Sequence, residues 1–152
     1  MIQLYYEQVD NSKNIPYDLL LLADETIEAI NKYVFGSEFY LVKNDHQLIG
    51  AFCLSPISRQ TIELKNIAVL PEFQRKGIGS IIIGYIKEIC LTRYPQIIVG
   101  TPDSAAAQIQ FYEKNGFKRS GVRKDFFIQQ YDEPIYEDGI QLRDMLLLTY
   151  KF

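Results

Sequence analysis

The segment FQRKGIGSIII, Phe73–Ile83, places two basic residues and two glycines directly before a run of isoleucines. The free N–H groups at the start of a helix attract anions, and the helix dipole adds to that attraction. Gly77 and Gly79 let the backbone approach an oxyanion without an intervening Cβ atom. Arg75 and Lys76 add positive charge beside them. The segment therefore predicts a binding site for a phosphate or a pyrophosphate.

Two familiar phosphate-binding motifs are absent from this segment. The P-loop pattern GxxxxGK[ST] does not occur, and the dinucleotide fingerprint lacks its third glycine because Ile82 stands there. On the glycines alone, a tight turn beside a solvated basic pair explains the segment as well as an anion site does.

A strand with an irregular pattern precedes the glycines. The apolar residues of Thr61–Val69 alternate, but their phase slips by one residue between Leu64 and Ile67. A β-bulge near Lys65 and Asn66 would return the apolar side chains to one face and leave backbone groups unpaired for a ligand. A strand buried on both faces is the alternative.

The residues after the glycines predict an amphipathic helix. Its apolar positions, spaced as on one helix face, are Ile78, Ile81, Ile82, Tyr85, Ile86 and Ile89. A later helix is predicted from a cap at Pro102–Ser104 to about Asn115, closed by Gly116 in the left-handed conformation. Residues 16–34 predict one or two helices, with Asp24 as the cap of the second.

The remaining apolar runs predict strands. They are IQLYYEQ, EFYLVKN, QLIGAFCLSPI, QIIVGT, FKRSGVRKDFFI and QLRDMLLLTYKF, the last two as antiparallel neighbours. His46 lies in the turn between two of these runs, where we expect a solvated side chain. The order of the elements predicts an α/β fold with one mixed sheet and helices on both faces.

Composition narrows the function classes. The 152 residues are 47% hydrophobic with a net charge of −3, which predicts one folded domain and argues against nucleic acid as the main partner. Cys53 and Cys90 lie in apolar runs, so we expect buried thiols and neither a metal site nor a disulfide framework. MIQLYYEQVD lacks the pattern of a signal peptide, and no apolar run spans a bilayer. We therefore expect a cytoplasmic protein without a membrane partner.

Two motifs resemble signatures of the GNAT superfamily of N-acetyltransferases. NIAVLPEFQRKGIGSIII is similar to the acetyl-CoA-binding segment, whose pattern is [QR]-x-x-G-x-[GA]; Gln74, Gly77 and Gly79 match it. FYEKNGF, Phe111–Phe117, resembles the second signature. The resemblance is close over residues 60–120 and extends along the whole chain in length and element order.

The resemblance implies a fold and a set of cofactor contacts. Residues 1–152 would form a single acetyl-CoA-dependent N-acetyltransferase domain, with a mostly antiparallel twisted sheet and a splayed central pair of parallel strands. The implied cofactor-binding residues are Ile67, Ala68, Val69, Gln74, Arg75, Lys76, Gly77, Ile78, Gly79, Ser80 and Phe111. The backbone of Arg75–Ser80 would hold the pyrophosphate, and Ile67–Val69 would pair with the pantetheine arm. Ala105 departs from the Asn that relatives often carry, and Asp103 or Ser104 are possible substitutes.

Acetyl transfer to an amine needs a deprotonated amine, donors for the oxyanion, and a proton or hydrogen bond for the departing thiolate. Within the resemblance, Tyr112 is the candidate acid; an aromatic core residue is the alternative. Glu63 is the candidate base, acting through water, because it alternates away from the apolar face of its strand; a solvated glutamate is the alternative. The N–H near Ile67 or Ala68 is the natural oxyanion donor.

The sequence defines the acceptor amine less well than it defines the cofactor. The acidic, tyrosine-containing run YDEPIYEDGI could attract a cationic amine if it overhangs the cleft, and is otherwise a solvated loop. We predict direct transfer to a small-molecule or peptide amine, in a homodimer if the apolar strand MLLLTY pairs across two copies. A non-catalytic acyl-CoA-binding or sensing module and an RNA- or protein-binding domain are the alternatives.

Overall fold

The computed structural model describes residues 2–10 and 13–152, which form a seven-stranded sheet, a separate two-stranded hairpin and five α-helices. The strands are β1 (Leu4–Val9), β2 (Glu38–Asn44), β3 (Gln47–Pro56), β4 (Thr61–Val69), β5 (Gln96–Pro102), β6 (Lys118–Arg123), β7 (Tyr136–Glu137), β8 (Ile140–Gln141) and β9 (Met145–Lys151). The helices are α1 (Tyr17–Leu20), α2 (Ile27–Asn31), α3 (Ile78–Cys90), α4 (Ala106–Lys114) and α5 (Phe126–Gln129).

The main sheet has the order β1-β2-β3-β4-β5-β9-β6, and β7 pairs with β8 in the hairpin. Each neighbouring pair is antiparallel except β4 and β5, which are parallel. The predicted mixed, mostly antiparallel sheet with one central parallel pair is therefore confirmed. The predicted bulge is confirmed as well: Leu54 lies opposite Leu64 and Cys53 opposite Asn66, so Lys65 has no opposite residue.

Apolar clusters cover both faces of the sheet, as predicted. On one face α3 and α4 pack against β4 and β5 through Ile82, Ile86 and Ile109. On the other face α1 and α2 pack through Leu20 and Ile30. Strand β4 is thereby covered by helices on both faces, and β5 by α3 and α4 on one face.

Two predicted helix caps are wrong. The extended Thr26, and not Asp24, caps α2, and its Oγ1 accepts a hydrogen bond from the Ala29 N–H at 3.1 Å. Helix α4 has no side-chain cap, because residues 102–104 form a turn in which the Ala105 N–H bonds the Pro102 carbonyl. Gly116 has a φ of 91° and closes α4 in the left-handed conformation as predicted.

The structure corrects three further predictions. Ile81 is 46% exposed whereas Ile83 is buried, so the apolar face of α3 is turned relative to the predicted one. The strand predicted over FKRSGVRKDFFI ends at Arg123, because Asp125 adopts a φ of 54° that leaves extended structure, and α5 follows. MLLLTY lies in β9 between β5 and β6, so both its edges are paired and neither is free for a second copy.

The single-residue expectations for the cysteines and the histidine are met. Cys53 and Cys90 are free and buried, and burial raises the pKa of their thiols to about 12 and about 11 respectively. His46 is exposed in the β2–β3 turn. No helix within residues 2–10 and 13–152 is long and apolar enough to cross a bilayer.

Candidate active site

The parallel strands β4 and β5 separate part-way along their length. They pair from Thr61 and Gln96 only as far as Leu64 and Val99, although β4 continues to Val69. The separation begins at the unopposed Lys65 of the bulge. A cleft of about 1310 Å³ opens there, and no strand among the described residues pairs with the β5-facing edge of β4 beyond the bulge. Such an edge can pair with an extended ligand.

The turn before α3 forms one end of this cleft. Arg75 and Gly77 have left-handed φ angles of 62° and 80°, and Gly77 is the N-cap of α3. The Gln74 side chain donates to the Val69 carbonyl at 2.8 Å and ties the turn to the end of β4. The first N–H groups of α3, which have no acceptor within the helix, therefore lie at the cleft.

The two glycines of the turn are needed for different structural reasons. A Cβ at Gly77 would meet no atom within 4 Å, so its left-handed φ explains the glycine. A Cβ at Gly79 would lie 3.1 Å from Cζ of Phe111, so this glycine lets α4 pack against the first turn of α3. We expected both glycines to clear space for an oxyanion, but packing against Phe111 is sufficient to explain Gly79.

Asn115 fixes the contact between α3 and α4. Its Nδ2 donates to Ser80 Oγ at 3.1 Å and to the Phe111 carbonyl at 2.8 Å. Lys87 Nζ in turn donates to the Asn115 carbonyl. The C-terminal end of α4 is thereby held against the glycine turn, which connects the two signature motifs in space.

Tyr112 projects from α4 into the cleft wall. It is 9% exposed and packs between the rings of Phe111 and Phe117, with centroid distances of 5.2 and 5.6 Å. Burial raises the pKa of its hydroxyl well above the ordinary value. Tyr112 therefore remains a protonated hydrogen-bond donor at neutral pH.

Glu63 lies at the floor of the cleft in a salt bridge and is not a solvated strand residue. It is 4% exposed; both its oxygens accept from Arg123 at 2.9 Å, and Lys65 Nζ lies 3.4 Å away. Burial alone would raise the pKa of Glu63, but the hydrogen bonds and charges of Arg123 and Lys65 hold it below the ordinary value. The carboxylate is therefore ionised and only weakly basic.

Most of the predicted site residues meet at the cleft. Those that line it are Glu63, Ile67, Val69, Gln74, Arg75, Gly77, Gly79, Ser80, Phe111 and Tyr112. The Ala68 side chain is buried against α1 and α2, and the side chain of Ile78, the first residue of α3, is buried in the core. Lys76 lies over the Phe73 ring at 5.6 Å from its centroid and does not line the cleft. The side chains of Ala68 and Ile78 are therefore not available for the predicted role, and the Ala68 backbone faces β3, because the Leu70 N–H two residues later donates to the Ile49 carbonyl.

Comparison with known proteins decides the family. A sequence profile described as "Acetyltransferase (GNAT) domain" matches residues 35–119. The uncharacterized N-acetyltransferase YvbK of Bacillus subtilis is 36% identical over 149 residues, covering 97% of this chain and 96% of that protein. The chain belongs to the GNAT family of acetyltransferases.

Solved GNAT structures share the whole fold. A GNAT family acetyltransferase from Elizabethkingia anophelis with acetyl-CoA bound is 39% identical, with a TM-score of 0.92 over 98% of both chains. A Bacillus subtilis acetyltransferase in complex with CoA is 34% identical, with a TM-score of 0.85 over 99% of both chains. Each of these similarities extends beyond the motifs along nearly the whole chain.

Another part of the cleft wall in this GNAT chain is a tyrosine network that joins distant segments. Asp24 accepts hydrogen bonds from the hydroxyls of Tyr33 at 2.8 Å and Tyr131 at 2.7 Å. These bonds tie the α1–α2 connection to the chain after α5. Tyr131 and Glu137 line the cleft, so part of the acidic run YDEPIYEDGI does overhang it.

Sequence reasoning missed several residues of the GNAT site. Arg123 and Lys65 pair with Glu63, and Asn115 links the two motifs, yet none was predicted. Asn115 lies within FYEKNGF, so the motif itself could have indicated this residue. Arg123 has no local signal, because it approaches Glu63 only through the order of the strands.

Proposed function

We propose that this GNAT acetyltransferase moves the acetyl group of acetyl-CoA to the nitrogen of a primary amine, by direct transfer in a ternary complex. The observation that carries the proposal is the cleft between β4 and β5. It joins backbone donors at the start of α3 to a buried tyrosine hydroxyl and an ionised carboxylate. This combination suits a thioester with an anionic tail at one end and an amine at the other.

The residues at the glycine turn fit acetyl-CoA. Left-handed residues at Arg75 and Gly77 allow successive N–H groups to turn toward one anion, which suits a pyrophosphate. The free edge of β4 suits an extended pantetheine arm, chiefly at Ile67 and the Val69 N–H, since the Val69 carbonyl already accepts from Gln74 and the Ala68 backbone faces β3. The acetyl-CoA bound to the Elizabethkingia anophelis relative supports the same ligand here.

The transfer follows from ordinary acyl chemistry. The amine nitrogen attacks the thioester carbonyl carbon, a C–N bond forms, the C–S bond breaks, and the amine proton is lost to solvent or a base. Tyr112 donates a hydrogen bond to the departing sulfur, because burial keeps its hydroxyl protonated. The backbone N–H near Ile67 is the proposed donor to the oxyanion, because the Ala68 backbone faces β3.

Glu63 is the proposed base, acting through water, and its ion pair with Arg123 limits its strength. The pH dependence of kcat/KM tests this role. If Glu63 accepts the proton, kcat/KM should be nearly level from about pH 5 toward the pKa of the amine, ~10.4. Glu63→Gln should then convert that level region into a tenfold rise per pH unit. A tenfold rise already present in the wild type removes Glu63 from proton transfer.

The function itself is tested in two steps. Acetyl-CoA should raise the thermal midpoint of the protein, because a ligand that binds only the folded state stabilises it. Thiol release should then be followed with polyamines, aminoglycosides, amino acids and peptides as acceptors. Stabilisation without thiol release from any acceptor would favour a non-catalytic acyl-CoA-binding module, and no stabilisation would contradict the cofactor assignment.

A further inference from the structure

Two carboxyl groups lie together at the mouth of the cleft. Glu25 lies in the α1–α2 connection and Glu137 ends strand β7; both line the cleft. Partial loss of solvent around its carboxyl group, together with the neighbouring carboxyl groups of Glu137 and Asp24, raises the pKa of Glu25 to about 7. Two carboxyl groups share a proton in this way when no cation separates them.

Three basic side chains that line the cleft are engaged elsewhere. Lys32 Nζ donates to the Gln130 carbonyl at 2.6 Å, while Lys65 and Arg123 both pair with Glu63. Within the described ranges, 2–10 and 13–152, the two carboxyl groups at the mouth form no ion pair with a protein cation. The negative charge at the mouth is therefore left for a ligand to neutralise.

Asn66 adds an independent acceptor in the same cleft wall. It is 3% exposed, and its Nδ2 donates to the Leu20 carbonyl at 3.0 Å and to the Tyr33 hydroxyl at 3.1 Å. Because the Leu20 carbonyl can only accept, the amide orientation is fixed. Oδ1 of Asn66 then has no hydrogen-bond partner in the part of the chain that the structure describes. A buried oxygen left without a donor is costly, so a ligand N–H is its natural partner.

We infer that the acceptor is a small primary amine that carries a second cationic nitrogen. The inference rests on the proposed function, which places the reacting nitrogen at the floor of the cleft beside Glu63 and Tyr112. The second nitrogen, charged at neutral pH, binds between Glu25 and Glu137 at the mouth. Asn66 Oδ1 accepts an N–H from the same ligand. A linear diamine is the simplest molecule with these two features.

Equilibrium binding tests the inference without relying on turnover. Calorimetry at pH 8 should compare diamines from propane-1,3-diamine to hexane-1,6-diamine with monoamines of equal length, on the protein with and without desulfo-CoA. We expect at least one diamine to bind about tenfold more tightly than its monoamine. The double variant Glu25→Gln, Glu137→Gln should bring the two dissociation constants to within about twofold.

A matched control removes the same charge outside the cleft. Glu28 of α2 and Glu133 are exposed and do not line the cleft, so Glu28→Gln, Glu133→Gln should keep the preference for the diamine. Equal binding of diamine and monoamine at every length overturns the inference, as does a preference that survives in the Glu25→Gln, Glu137→Gln variant. Diamine preference without acetylation would contradict the proposed function and leave the ammonium subsite standing.

Discussion

The two ends of the cleft are built in different ways. The proposed cofactor end, residues 67–80 with α4, consists of backbone groups, a left-handed turn and one close helix contact. The proposed acceptor end consists of side chains from five separate parts of the chain, namely Glu25, Glu63, Arg123, Tyr131 and Glu137. At the floor of the cleft the Glu63 carboxylate pairs with Arg123, whereas at the mouth Glu25 and Glu137 form no ion pair among the described residues.

The difference indicates which end should be similar among acetyl-CoA-dependent enzymes and which should vary with the acceptor. A pyrophosphate and a pantetheine arm are the same in every acetyl-CoA molecule, so backbone geometry is sufficient to bind them. Acceptor amines differ in charge and shape, and side chains must discriminate between them. Changes at the acceptor end should therefore spare acetyl-CoA binding, whereas changes in the turn should weaken it.

The largest effect is expected from Arg123→Met. It leaves the buried Glu63 carboxylate with Lys65 alone, and we expect a loss of about 2 kcal/mol in the free energy of unfolding, discounted because Arg123 is partly exposed. Arg119→Met, on the same strand, removes an exposed pair with Glu113 and should cost less than about 0.5 kcal/mol. Urea unfolding measures both. A loss in the first variant no larger than in the second contradicts a structural ion pair at the floor.

The Arg123→Met loss should depend on pH with a definite sign. The folded-state pKa of Glu63 is held below its ordinary value, so its contribution is fully present above the unfolded pKa of ~4.3. The contribution is lost as the pH falls through the folded-state pKa. The stability gap between wild type and Arg123→Met should therefore shrink below about pH 4, as measured by urea unfolding; a gap that widens there would be inconsistent with the pair.

Tyr112→Phe should lower kcat about 10- to 100-fold, because the departing sulfur loses its hydrogen bond, while the acetyl-CoA dissociation constant stays within about twofold. Tyr150→Phe is the matched control: Tyr150 also packs against Phe117 but does not line the cleft, so its kcat should be unchanged. Steady-state kinetics and calorimetry separate the two effects. An unchanged kcat in Tyr112→Phe removes this hydroxyl from the mechanism.

The smallest effects are expected at the glycines. Gly77→Ala forces a left-handed alanine and should cost about 1 kcal/mol while weakening acetyl-CoA binding. Gly84→Ala, in the exposed interior of α3 with open space around it, should instead stabilise the protein by about 0.5–1 kcal/mol. Urea unfolding measures the change in the free energy of unfolding for each variant and therefore its sign. Stabilisation by Gly77→Ala would show that the turn does not need its left-handed residue.

The cofactor end could be predicted from the sequence because its signals are local. The phase slip between Leu64 and Ile67 marked the bulge, and the bulge is where β4 and β5 separate. Gly116 marked the left-handed residue that closes α4. Local reasoning failed at the cap of α2, where Thr26 replaces the expected Asp24 because tyrosine hydroxyls occupy the Asp24 carboxylate.

The acceptor end could be predicted only in outline. Glu63 was recognised from its alternation, but its depth and its partner Arg123, 60 residues away, depend on the strand order. The acidic run was recognised by composition, yet only Tyr131 and Glu137 among its charged or aromatic residues line the cleft. Glu25 had no signal, because its significance arises only when hairpin β7–β8 brings Glu137 beside it.

The central claim is that the cleft between β4 and β5 joins a thioester to an amine. Its most direct test is the stoichiometry of products, with acetylated amine measured by mass spectrometry and CoA thiol measured in the same reaction. The account predicts one acetylated amine for each thiol released, and a parallel decrease of both in Tyr112→Phe. Thiol release without acetylated amine, or acetylated amine formed equally fast in buffer without the protein, would contradict it.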